Sequence, residues 1–211
     1  MKPEYGPTLG QLLAPRWRAA SPLARGLIIA SGVGLLALIV AAALTLENST
    51  FSHGGKVPFS FSYRDLYRTT PDPGGYVKLQ RRRPDGQLED SLSVEPLMLP
   101  PYSGELAVEL PLYAASYTRE LAQRHTQFVL RGEGKTKVNT VPGYNVFYTA
   151  VVEGRRMYGR DVLLLPERAG VQEGVVIAML TSPKANSQVT SPSLVASAGV
   201  LLKPIRTFTI G

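Results

Sequence analysis

The chain has 211 residues, with 23 Lys plus Arg against 16 Asp plus Glu for a net charge of +7, two histidines, one tryptophan and no cysteine. Without cysteine it has no disulfide, no thiolate metal site and no thiol for lipidation, so its fold stands on a hydrophobic core alone. The positive balance is mild and unclustered, since residues 51–211 carry 19 Lys plus Arg and 14 Asp plus Glu; nucleic-acid binding, which needs a concentrated basic face, is not expected.

Residues 1–26 hold Pro3, Pro7, Pro15 and Pro22 around a single Trp17 and show no sustained period. They read as a disordered, cytoplasmic leader, a solvated tail rather than a membrane-surface helix built on Leu9 to Leu13. Residues 27–46 (LIIASGVGLLALIVAAALTL) form an uncharged apolar run. At the helical rise, twenty residues reach about 30 Å, the thickness of a bilayer's hydrocarbon core, which predicts a single transmembrane helix. Arg16, Arg18 and Arg25 precede the run and Lys56 and Arg64 follow it, a bias that places the N-terminus in the cytoplasm and the rest outside a cell membrane crossed once. A cleaved signal peptide ending at Ala41, Ala42 and Ala43 is the competing reading. The run and its leader are longer than the usual apolar segment of about 7–15 residues and its short leader. Gly26, Ala30 and Gly34 recur at four-residue spacing, a small-residue face through which two such helices can approach and form a homodimer.

Residues 47–56 (ENSTFSHGGK) are polar and end in two glycines, the composition of a flexible stalk. Residues 57–211 are expected to form one extracytoplasmic domain. Phe59, Phe61 and Tyr63 alternate with polar residues as in a half-buried strand. Residues 76–83 and 88–97 flank Pro84-Asp85-Gly86-Gln87, and Asp-Gly between alternating runs predicts a hairpin. Residues 112–126 carry Leu112, Ala115, Tyr117, Leu121 and Ala122 at helical spacing, with Glu120 and Arg124 four apart on the outer face. Four strands then follow at about 128–141, 144–152, 156–165 and 174–181, with short connections that predict an antiparallel meander. Ser191-Pro192 opens a second helix over 193–202, and Ile205, Phe208 and Ile210 form a tail that packs back on the domain. The fold class expected is α+β: an N-terminal transmembrane helix, then an antiparallel sheet of about 6–7 strands covered by two helices in an α/β/α sandwich.

The segments Gly143-Tyr144-Asn145-Val146-Phe147-Tyr148, Gly159-Arg160-Asp161-Val162-Leu163-Leu164 and Glu173-Gly174-Val175-Val176-Ile177, with Ser191-Pro192, Gly199 and Phe208, resemble the PsbP-like superfamily of α/β/α sandwiches. Its relatives include a photosystem extrinsic subunit and LpqN-type envelope lipoproteins. The chain departs from the group in having Tyr63-Arg64-Asp65-Leu66 after its first strand and no lipobox cysteine. The resemblance implies a non-catalytic accessory or binding domain, with no catalytic residues to carry over.

The chemical inventory points the same way. His53 and His125 lie in segments with no reason to meet, so no metal site is expected. Gly132-Glu133-Gly134-Lys135-Thr136 lacks the spacing of a phosphate loop and reads as a bulge or bend in a long strand. Glu153 with Asp161, or Glu167 with Glu173, can pair across strands, but spacing alone assigns them no acid–base role. No cofactor is expected. The expected function is a membrane-anchored, non-catalytic domain holding a lipid, glycan or protein partner; the alternatives are an envelope hydrolase without a recognisable motif, or a structural subunit of a transport or secretion complex. Candidate partner contacts are Met98, Leu99 and Tyr102, apolar groups around Pro100-Pro101, and Arg81, Arg82 and Arg83 form a candidate anion contact.

Overall fold

Alternating polar and apolar residues put more of this chain into strands than into helices. The computed structural model describes residues 21–44, 48–99, 106–166 and 172–211, and the chain divides into two units, residues 1–47 and 48–211. In the first, helix α1 (Pro22–Leu44) starts on a proline, which a first helical turn accepts. Ser31 Oγ donates to the Leu27 carbonyl one turn back, at 2.8 Å.

The transmembrane reading is corrected here: among the described residues no helix is long and apolar enough to cross a membrane. The prediction rested on the apolar run alone, of which residues 27–44 lie in the described helix. The single-pass localisation, the integral membrane partner and the dimer through a membrane span fall with it. Gly26, Ala30 and Gly34 lie exposed on α1.

The second unit opens where the stalk was expected. Residues 48–53 form β1 (Asn48–His53), because NSTFSH alternates and puts Phe51 and His53 toward an apolar layer. It pairs antiparallel with β2 (Phe59–Arg64), from Asn48 opposite Arg64 to His53 opposite Phe59. The strands β3 (Arg68–Thr70), β4 (Val77–Arg82) and β5 (Leu88–Met98) follow, with β4 and β5 joined through the Asp85-Gly86 turn. Gly86 takes a φ of 84° there, which a side chain would resist. Helix α2 (Leu106–Arg124) carries the chain across to β6 (Thr126–Val138), and β7 (Val141–Val152), β8 (Arg155–Leu164) and β9 (Glu173–Thr181) return as the predicted meander. A short helix, α3 (Leu202–Thr207), and β10 (Thr209–Ile210) close the chain.

The strands make two sheets rather than one: β1-β2-β10, and the seven-stranded order β3-β4-β5-β9-β8-β7-β6. The expected α+β sandwich with two covering helices is therefore corrected to a mostly β unit with one long helix. The second predicted helix fails for a backbone reason. After a single 3₁₀ turn (Pro192–Leu194), Ala196 and Gly199 sit at φ of 59° and 74°, which no right-handed helix contains.

Each face of the large sheet has its own core. On one, Leu79, Leu92, Val94, Val162 and Ile177 cluster with Phe59, Phe61 and Phe208, the last two rings stacked at 5.9 Å. On the other, Val146, Tyr148, Leu163 and Val176 cluster with Leu110, Ala114, Tyr117 and Leu121 of α2. Period-2 alternation along β8 feeds both, with Val162 and Leu164 to the first and Leu163 and Leu165 to the second. That parity also sends Asp161 under the helix.

Candidate functional site

The pairing register lines up Lys78, Ser93, Ala178 and Asp161 across β4, β5, β9 and β8 on the α2 side of the sheet. The neighbouring row brings Ser91, Leu180, Gly159 and Tyr148 together. Beside α2 all of these except Gly159 line a cleft of about 140 Å³, whose wall also includes Glu95, Tyr117, Leu121, Arg124 and His125. Small residues create the hollow. Ala178 leaves room on the floor, and a Cβ built at Gly159 would overlap the Tyr148 ring, so glycine there lets that ring lie flat across β8.

At the inner end Asp161 is fully buried. Tyr117 of α2 donates to its Oδ2 at 2.7 Å and Tyr148 of β7 to its Oδ1 at 3.1 Å. Among the described residues no cation lies within hydrogen-bond distance of it. Burial pushes its pKa up to about 7, outweighing the two tyrosine hydrogen bonds, which favour the charged form. Burial and the neighbouring carboxyl hold both tyrosines well above their usual range, so they remain donors at any physiological pH.

The rim is more solvated. Arg124 reaches Glu95 at 3.7 Å and Glu120 at 3.4 Å, with its guanidinium 5.5 Å from the Tyr117 ring centre. Ser93 donates to Glu95 at 3.0 Å. His125 stacks on Tyr148 at 5.7 Å, and burial, assisted by Arg124, lowers its pKa, so its ring is neutral at physiological pH. What the cleft offers a ligand is a set of fixed hydrogen-bonding groups over a fully buried acid whose pKa burial raises to about 7.

The residues singled out from sequence lie elsewhere. Arg81 pairs with Asp90 and Glu89, Arg82 with Glu153, and Arg83 with Glu89, so each of the three arginines already faces a carboxylate of the domain. Met98 is 58 % exposed, whereas Leu99 is 4 % exposed and packs in the α2-side core. Tyr102 and Glu167 lie outside the described residues. Glu153 and Asp161 do not pair, and Glu173 bonds Lys56 at 3.0 Å. His53 stacks on Tyr76 at 4.3 Å, in the opposite core from His125. Among the described residues no His, Asp and Glu cluster has metal-holding geometry. The bend read into Gly132 to Thr136 is a bulge between Leu130 and Gly132.

Sequence reasoning named Asp161 only as a possible cross-strand partner of Glu153 and missed its place beneath the helix. The signal was present, since a carboxylate at the centre of a strand otherwise apolar on that face marks either a misread strand or a built site.

The architecture is a PsbP-like fold. The solution structure of cyanobacterial PsbP (CyanoP) from Synechocystis sp. PCC 6803 matches it with a TM-score of 0.52 at 14% identity, over 79% of this chain and 94% of that one. LpqN, involved in cell envelope biogenesis of Mycobacterium tuberculosis, matches with a TM-score of 0.49 at 9% identity, over 78% and 91%. The Ran-binding protein Mog1p of Saccharomyces cerevisiae gives 0.48 at 13% identity, over 78% and 95%. No family description matches the sequence, and no curated protein does. Likeness at these identities is a statement about fold.

Proposed function

We propose that residues 48–211 form a non-catalytic accessory domain that binds a partner group in the cleft between α2 and strands β4, β5 and β9. The observation that carries this reading is the interruption of the α2-side core. Apolar packing stops at Tyr117 and Leu121, and the sheet continues as Lys78, Ser91, Ser93 and Glu95 around a hollow floored by Ala178. A sheet face built only for solubility has no need of a recess with convergent polar groups. The groups inside are committed to one another rather than poised for chemistry. Both Asp161 oxygens accept tyrosine hydroxyls, Glu95 accepts from Ser93, and His125 lies against Tyr148. Such contacts preserve a recognition surface, whereas acid–base work needs a group free to exchange its proton with substrate.

Ala178→Trp tests the reading because it fills the hollow and removes no charge. Panels of soluble glycans, short-chain lipids and peptides are screened against the 211-residue chain by amide chemical shifts. The reading expects a ligand that shifts Ser93, Ala178 and Asp161 in the wild type and none of them in the variant. A ligand bound equally by both, with shifts elsewhere on the domain, overturns it.

A further inference from the structure

The same cleft carries information about the chemistry of its occupant, and this inference rests on the cleft being the binding site. Two cations face it, Lys78 from β4 and Arg124 from the last turn of α2, with two carboxyl groups, Glu95 at the rim and Asp161 at the inner end. Among the described residues the Lys78 ammonium has no acceptor within hydrogen-bond distance. Glu153, the carboxylate that feels its field, is held by two N–H groups of Arg82 at 2.9 and 2.6 Å. Arg124 is bound loosely, at 3.4 and 3.7 Å from its two carboxylates, and retains donors for a third partner. Donors of Lys78 and Arg124 are thus left for an incoming acceptor. Its volume of about 140 Å³ makes the cleft comparable to a cavity that takes a benzene-sized molecule, enough for one oxyanion and a few attached atoms. A folded element is excluded; a side chain, a chain end or a headgroup fits.

We propose that the cleft is a receptor for a compact oxyanion, a carboxylate or a phosphate group, seated over Ala178 between Lys78 and Arg124, and that its binding is coupled to the proton on Asp161. The coupling follows from position. Asp161 of β8 is the direct pairing partner of Ala178 of β9, beside the seat, with no cation of its own. An anion on that seat repels an ionised Asp161 through a medium of low dielectric, so occupancy retains the proton, and by reciprocity the protonated acid favours occupancy. The groups facing Asp161 are Tyr117, Arg124 and His125 from α2 and its end, Tyr148 from β7, Glu95 from β5 and, farther along the row, Lys78 from β4. Both tyrosines are held neutral and the pKa of His125 is lowered, so across neutrality Asp161 is the group that changes charge.

The test titrates the isotope-labelled 211-residue chain with sodium acetate and, separately, inorganic phosphate, with sodium chloride holding ionic strength constant. Acetate keeps one charge between about pH 6 and pH 8, which isolates the protein's own proton. The expected result is saturable shifts at Ser93, Ala178 and Asp161, at least about five-fold weaker binding in Lys78→Gln and Arg124→Gln, and acetate bound several-fold more tightly near pH 6 than near pH 8. Asp161→Asn is expected to bind and to lose that pH dependence. Non-saturating shifts, or saturating ones indifferent to both cation variants, overturn the anion assignment. If Ala178→Trp abolishes binding of a neutral or cationic ligand while neither anion binds, the cleft reading stands and the oxyanion is wrong. Equal pH dependence in wild type and Asp161→Asn overturns the coupling.

Discussion

Asp90 and Asp161 are both fully buried, on opposite faces of one sheet, and the chain treats them in opposite ways. Asp90 accepts from Arg81 Nε at 2.7 Å and from Thr181 at 2.5 Å, and Arg81 also meets Glu89. Asp161 receives two tyrosine hydroxyls and no cation. Burial raises both pKa values; at Asp90 the Thr181 hydroxyl and then Arg81 pull back, whereas Asp161 has only its tyrosines to oppose the rise and reaches about 7. A carboxylate with its own counter-ion fastens a strand pair. One that keeps a proton instead, beneath a recess, answers to what enters that recess, and the contrast separates structural from functional burial of the same side chain.

The largest way to break this comparison is to strip Asp90 of its cation. Arg81→Ala leaves an uncompensated buried carboxylate and is expected to cost about 3 kcal/mol, the low end for such pairs because Arg81 is partly solvated; urea denaturation measures it. Gly159→Ala comes next. The new methyl group meets the Tyr148 ring, for an expected loss of about 1–3 kcal/mol, with the Tyr148 hydroxyl displaced from Asp161, visible as altered aromatic shifts.

The third prediction concerns pH, and its sign follows from the direction of the shift. Asp161 has an ordinary value of 3.8 and a folded value of about 7. The unfolded chain therefore releases the proton first, and stability is lost as pH rises between these values and is constant above them. The full shift corresponds to about 4 kcal/mol, and local relaxation reduces it to an expected 1–2 kcal/mol, as an order of magnitude. Asp161→Asn keeps the shape and accepts a tyrosine proton. Denaturation near pH 4 and near pH 8 is expected to show the variant gaining that amount relative to wild type at the higher pH. Smallest is Arg124→Gln, whose solvated ion pairs predict less than about 1 kcal/mol of stability change, so any larger effect on binding reports the cleft rather than the fold.

Much of the domain was legible in the sequence, and what escaped did so for identifiable reasons. The Asp85-Gly86 hairpin and the β6–β9 meander follow from local turn chemistry and alternation. The strand β1 was hidden because serine, threonine and asparagine score as linker, and only pairing with β2 reveals Phe51 as core. The helix expected over 193–202 had the right spacing, but two left-handed residues undo it. The apolar run at 27–46 was visible, but its length alone overstated what the helix can do, since no described helix is long and apolar enough to cross a membrane. For the site, period-2 counting along β8 puts Asp161 among Leu163 and Leu165, yet no local rule brings Tyr117 from α2 and Tyr148 from β7 to it, since those contacts span 44 and 13 residues.

The central claim is that a protonated carboxylic acid is stored beneath the cleft, and the carboxyl carbon resonance of Asp161 tests it most directly. Assigned by its absence in Asp161→Asn and followed across pH in the 211-residue chain, it is predicted to titrate near pH 7, in step with the Ser93 and Ala178 amides. A midpoint near the ordinary carboxylate value of 3.8 would contradict the account.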